Sequence, residues 1–239
     1  MTKKASDPLV LVQNNATGGV SLWQAQHHQS AADRNGISLA DYIHAMFGFL
    51  RQAGARRVLM IGCGGGTLAS MLHRAGVETV IVDIDPRSLE IARRYFHLPD
   101  AVETHAADGL AFVSKETRRF DAIVLDAFDG EGIPRHLLAK RFFDAARARM
   151  KTRGALFLMN LIVADDEDPA PARIVAKMRE TWGHVRLLDC EGWIDRNAVV
   201  AAGAVSKLKR PKLAMPPARG AAKLARGLEA LAFRKVRRC

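Results

Sequence analysis

The chain has 239 residues, 49% of them hydrophobic and 26% charged, with a formal net charge of +11. That length suits the core of one α/β domain with short appendages, and no apolar run approaches the roughly 18 residues of a membrane span. Cys63, Cys190 and Cys239 are too few and too scattered for a disulfide framework or a zinc site, and Met1-Thr2-Lys3-Lys4 leads into no signal-peptide core, so a cytoplasmic protein without metal is expected.

The chain opens with two short apolar runs, Leu9-Val10-Leu11-Val12 and Val20-Ser21-Leu22-Trp23, around an Asn/Gly cluster, which predicts a β-hairpin that caps the main domain. Residues 24–36 are polar and read as loop. A helix follows over residues 39–51, with Leu39, Ile43, Met46, Phe47 and Leu50 at helical spacing. Tyr42 and His44 on it could face a ligand, but ordinary surface or half-buried positions are the favoured reading.

Residues 58–61 are an uncharged apolar run, the pattern of a strand buried on both faces, and Gly62-Cys63-Gly64-Gly65-Gly66 then lets the backbone turn sharply and approach a ligand. A helix from Thr67 would present free N–H groups there. The next apolar strand, residues 79–82, ends in Asp83, which follows Gly62 by 21 positions, close to the roughly 20 expected of an acid that binds a ribose hydroxyl. Thr67 stands where the dinucleotide fingerprint needs its third glycine, so Gly62, Gly64 and Gly66 suit a nucleoside without pyrophosphate, such as S-adenosylmethionine.

The alternation continues with a helix from Pro86, a strand near residues 101–105, and Ala107-Asp108-Gly109 opening another helix. Asp108 suits an adenine amino group or a helix N-cap, and can serve as both. The strand at 122–125 runs into Asp126-Ala127-Phe128-Asp129-Gly130-Glu131, which an open α/β sheet places beside the glycine loop. Three carboxylates that close call for a cation or an amine. A helix is predicted over residues 134–150, a strand over 155–161, a helix over 172–181, and a closing antiparallel pair over 185–190 and 197–204.

From Lys207 onward there are eleven Lys or Arg and one acid, Glu229, a net +10, which leaves +1 for the rest. The basic excess therefore belongs to a tail with a helix over residues 221–236. Nucleic acid is not the expected partner, and no membrane is. The units expected are a cap and loop over 1–36, the adenosyl-sulfonium-binding domain over 37–206, and the basic tail over 207–239.

The set Val-Leu-Met-Ile-Gly-Cys-Gly-Gly-Gly-Thr-Leu, Val-Asp-Ile-Asp-Pro, Ala-Asp-Gly and Asp-Ala-Phe-Asp-Gly-Glu-Gly-Ile-Pro resembles the spermidine synthase (polyamine aminopropyltransferase) family and its bacterial relatives over about residues 40–203. The resemblance implies a class I methyltransferase-type Rossmann-like domain with a small N-terminal β-structure, and a homodimer. It implies S-adenosylmethionine or its decarboxylated form as co-substrate and an amine or polyamine as acceptor. It would make Asp83 the ribose ligand, Asp108 with Gly109 the adenine contact, and Asp126 with Asp129 the amine-binding carboxylates, Asp126 acting as base.

Two features depart from the family pattern. The glycine loop lacks the acid of Gly-Gly-Gly-Asp-Gly-Gly, and the N-terminal β region is short. Three functions therefore stand side by side: aminopropyl transfer, methyl transfer on the same scaffold, and non-enzymatic binding through the basic tail.

Overall fold

The computed structural model describes residues 10–24, 27–130 and 132–236; Leu9, Glu131 and Cys239, which enter the expectations above, lie outside them, as do the first residues and Arg237 and Arg238. Strands β1 (Val10–Asn14) and β2 (Val20–Gln24) form an antiparallel hairpin. Asn15 closes its turn, accepting on Oδ1 from the Thr17 and Gly19 N–H groups and donating from Nδ2 to the Val20 and Ala32 carbonyls.

A third strand, β3 (His27–Ala32), pairs antiparallel with β2, where a loop is predicted. His-His-Gln-Ser has no apolar alternation to announce it. Small residues make the pairing work instead: Ala31 and Ala32 are buried, and a Cβ on Gly19 would lie 2.1 Å from the Ala32 carbonyl oxygen.

The α/β succession follows as α1 (Asp41–Gln52), β4 (Arg57–Ile61), α2 (Thr67–Arg74), β5 (Glu78–Asp83), α3 (Pro86–Phe96), β6 (Glu103–Ala106), α4 (Gly109–Lys115) and β7 (Ala122–Leu125). The helix predicted over 134–150 is two pieces, a 3-10 turn at Arg135–Leu138 and α5 (Lys140–Ala148), parted where Ala139 is extended (φ −80°, ψ 147°). The chain then forms β8 (Leu156–Val163), α6 (Ala170–Trp182), β9 (Val185–Asp189), β10 (Arg196–Gly203), α7 (Ala221–Ala230) and β11 (Ala232–Arg234).

Eight strands make one sheet in the order β11-β9-β10-β8-β7-β4-β5-β6. Strands β8, β7, β4, β5 and β6 are parallel neighbours, while β10 runs against both β8 and β9. Because helices cover both faces, β7 is buried at every position and β8 at every position but Ile162. One face packs on α1, α2 and α7 through Met46, Phe47, Leu72 and Leu228; the other packs on α5 and α6 through Phe143, Val175 and Trp182. Trp182 stacks on Phe157 at 4.7 Å between ring centroids.

The basic tail is built into this fold. Pro211 lies so close to α1 that a Cβ on Gly48 would fall 2.6 Å from its own Cβ, and Leu224, Leu228 and Leu231 are buried. The helix predicted through Val236 stops at Ala230, since Leu231 is extended and the next three residues pair with the edge of β9 as β11. An open strand edge is a row of unpaired N–H and C=O groups, so pairing outweighs helical spacing there. No helix among the described residues is long and apolar enough to cross a membrane.

Candidate active site

The parallel strands β4, β5 and β7 all end on the same edge, and the loops after them build the site. Gly62, Gly64 and Gly66 have φ of 96°, 51° and 64°, the left-handed region that a residue with a Cβ resists. Gly62 has a second constraint, because its Cβ would lie 2.1 Å from the Asp126 carbonyl oxygen. The loops after β4 and β7 are therefore in backbone contact. Gly62→Ala is expected to cost about 1–3 kcal/mol of stability from its positive φ, with Asp126 displaced as well. A urea midpoint unchanged from the parent protein would contradict this.

Asp83 ends β5. Its Oδ2 accepts from the Cys63 N–H at 2.7 Å and its Oδ1 from the Asp85 N–H at 2.9 Å, so it braces the glycine loop while its remaining lone pairs stay available to hydroxyl donors. Burial raises the Asp83 pKa, with these two N–H groups pulling the other way. Burial also pushes the Cys63 thiol up, and Asp83 adds to the effect, so Cys63 is no nucleophile.

Asp108 caps α4, its Oδ1 accepting from the Ala111 N–H at 2.8 Å; its Oδ2 lies 2.6 Å from His136 Nε2. Burial works against its charge, but the Ala111 N–H and His136 outweigh it and hold the carboxyl below its ordinary range. The break at Ala139 sets His136 on the separate 3-10 turn that reaches Asp108. Gly109 is the next residue, and a Cβ there would press to 2.5 Å from Ile61 Cγ2.

Asp126 follows β7. Its Oδ1 accepts from Asn160 Nδ2 at 2.8 Å and its Oδ2 faces the Tyr42 hydroxyl at a long 3.4 Å. Parallel pairing explains the Asn160 contact: Leu125 stands opposite Met159, so the next residues of β7 and β8 are neighbours. Burial lifts Asp126 to about 6, against the lowering effect of Asn160 and then Tyr42. Burial, then the nearby Asp126 charge, sends the Tyr42 pKa well above 10, so Tyr42 stays a neutral donor.

Asp129 lies further out on an exposed turn, paired with Gly132 through backbone and side chain. Tyr42, for which the sequence favours an ordinary position over a ligand-facing one, faces Asp126. His44 does not reach it; buried, its Nε2 meets the Ser38 carbonyl at 2.8 Å. Asn160 and Ser30 also face the site, and neither is among the residues expected from the motifs. Asn160 is the one polar residue in Leu-Phe-Leu-Met-Asn-Leu-Ile-Val, a usable signal. Ser30 gives none, since only the fold carries β3 onto the glycine loop, where its Oγ accepts from the Gly65 N–H at 2.9 Å.

With this geometry in hand, the sequence pattern of a methyltransferase domain matches residues 58–154. The matched stretch holds the glycine loop, Asp83, Asp108 and Asp126. The chain is also related to polyamine aminopropyltransferases: it is 34% identical over 116 residues to that of Vibrio vulnificus, covering 46% of this chain and 39% of that one. It is 35% identical over 123 residues to the eEF1A lysine and N-terminal methyltransferase homolog of Drosophila melanogaster, covering 46% of this chain and 18% of that one. The chain thus spans less than half the length of these curated relatives. A probable spermidine synthase from Corynebacterium glutamicum has the same fold, with a TM-score of 0.76 at 16% identity over 96% of this chain and 88% of that one. The Rossmann-like class I methyltransferase fold is thereby established, with a three-stranded N-terminal sheet in place of the expected hairpin.

Proposed function

We propose that the chain is a transferase that binds an adenosyl sulfonium on the glycine loop and transfers an aminopropyl group from decarboxylated S-adenosylmethionine to an amine. The observation that carries this is Asp126, a carboxylate of raised pKa, held by Asn160 and Tyr42 at the strand end that touches the glycine loop. Asp83 suits the ribose hydroxyls, and Asp108 with Gly109 suits the adenine edge.

In the step proposed, the amine lone pair forms a bond to the carbon beside the sulfonium. The carbon–sulfur bond breaks, its electron pair leaves on sulfur as neutral 5′-methylthioadenosine, and the amine proton passes to Asp126. The sulfonium is already activated, so the protein mainly aligns the nucleophile and excludes water. An amine has a pKa of about 10, and raising Asp126 toward it narrows the mismatch by about 3 kcal/mol.

A base works without its proton, so kcat/KM is expected to rise with pH through about 6 as Asp126 ionises. Asn160→Leu and Tyr42→Phe each remove a donor that lowers the Asp126 pKa, and both are expected to move the inflection upward. A flat profile from pH 5 to 8 in the parent protein, or an unmoved inflection in both variants, would count against Asp126. Calorimetry tests the co-substrate: the reading requires binding of the decarboxylated form, and binding of S-adenosylmethionine alone would end it.

A second reading is methyl transfer to an amine. It is favoured by the loop itself, where the Ser30 hydroxyl meets Gly65 and a side chain at Gly65 would strike the Phe96 ring at 2.7 Å. That neutral loop sets no negative charge against a methionine carboxylate.

A further inference from the structure

Three large apolar side chains at one end of the sheet face water: Trp193 is 64% exposed, Ile194 75% and Ile162 49%. Ile162 lies two residues beyond Asn160 on β8 and so on the same face, roughly 7 Å further out along the strand. Trp193 and Ile194 sit in the connection from β9 to β10, whose first residue, Arg196, pairs with Val163 at that end of β8. Ile162 therefore continues the line that runs from Asp126 through Asn160, and Trp193 and Ile194 stand at the same end of the strands.

The connection is anchored from below. Arg196, 6% exposed, donates to the Trp193 carbonyl, to Asp189 and to Asp166, and Asp166 also takes the Gly192 N–H at 3.0 Å. Trp193 is thus presented on a fixed backbone. The two turns, residues 164–169 and 189–195, carry acids and no Lys or Arg. Asp165, Glu167, Asp168 and Asp195 make no ion pair among the described residues, and the neighbouring cations Arg196 and Arg234 are taken up by Asp189, Asp166 and Glu191. Within the site, the buried Asn160 Oδ1 has no hydrogen-bond partner, an acceptor suited to an incoming N–H.

Resting on the amine-transfer reading above, we propose that this rim docks a basic polypeptide segment whose lysine side chain reaches Asp126. Charge complementarity selects the occupant: an anionic border around exposed Trp and Ile suits a segment that alternates cationic and apolar residues. The lysine stem matches the spacing, since its four methylenes carry the amine about 6 Å from the backbone, close to the step from Ile162 to Asn160. A free diamine held at Asp126 would leave Trp193 and Ile194 untouched. Buried Trp at an interface is a frequent source of binding energy.

The test uses the full chain, with S-adenosylmethionine and its decarboxylated form both supplied. Its two acceptors are a synthetic peptide of alternating lysine and leucine, and free spermidine. The expected result is group transfer to peptide lysines, with the double variant Trp193→Ala, Ile194→Ser losing about tenfold or more in kcat/KM on the peptide and staying within about twofold on spermidine. Transfer to spermidine but not to the peptide, or an equal loss on both, overturns the docking proposal and leaves amine transfer standing. A parent dimer that the double variant splits into monomers, with no loss on the peptide, also overturns it, because the patch then belongs to a second copy. Transfer to neither acceptor, with no adenosyl sulfonium bound, defeats the amine-transfer reading and this proposal together.

Discussion

Asp126→Asn is expected to lower amine transfer by about 10²–10⁴-fold, the range that a positioned general base contributes. The substitution keeps the size of the side chain and leaves the Tyr42 hydroxyl and Asn160 amide around it, so the site changes little in shape. It removes the only property at issue, a carboxylate that can take a proton. Binding of the adenosyl co-substrate is expected to stay near the parent value, because Gly62 meets the backbone oxygen of Asp126 and not its carboxylate. Steady-state rates with calorimetry on the same variant check both halves. A loss of only a few-fold would remove Asp126 as the base.

Asp189→Ala is expected to cost about 3–5 kcal/mol of stability, the penalty for leaving a buried charge without its partner. Asp189 is fully buried at its side chain and accepts from Arg196 Nε at 2.7 Å, Arg196 Nη2 at 2.9 Å, Arg234 Nη1 at 2.6 Å and the Cys190 N–H at 2.8 Å. Without it, Arg196 keeps Asp166 and the Trp193 carbonyl, and β11 loses the ion pair that fixes Arg234. Burial works against the Asp189 charge, but Arg196 and Arg234 outweigh it and hold its pKa below the ordinary value. The stabilisation is therefore present above pH ~4 and is lost as pH falls through the native pKa. Urea unfolding at neutral pH measures the cost, and a loss under 1 kcal/mol would mean that β11 is held by other contacts.

Much of this fold is legible because its determinants are local. The run at 58–61, the glycines after it, and Asp83 at its spacing occupy one short stretch. Asp126 could be placed from sequence because every parallel strand of an open α/β sheet delivers its carboxyl end to the same edge. What stayed hidden is non-local. Strand β3 has no apolar alternation and exists through pairing with β2 and close approach to Gly19. Strand β11 continues a helical pattern, and only the free edge of β9, with Asp189 waiting for Arg234, turns it into a strand. The Ala139 break that brings His136 to Asp108 has no marker residue. Tyr42 sits 84 positions from Asp126 and joins it only because α1 starts at the carboxyl edge of the sheet.

The basic tail shows the same limit in charge. Composition locates the excess but not its purpose: among those charges Leu208, Leu224, Leu228 and Leu231 are buried in the core and Phe233 is stacked 3.3 Å under the Arg186 guanidinium.

The central claim is the bond that breaks at the sulfonium. Mass-spectrometric identification of the nucleoside released, with both forms of the co-substrate and an amine present, tests it most directly. The account predicts 5′-methylthioadenosine, formed at a rate that falls in the Asp126→Asn protein. Release of S-adenosylhomocysteine instead would contradict it and make the domain a methyltransferase.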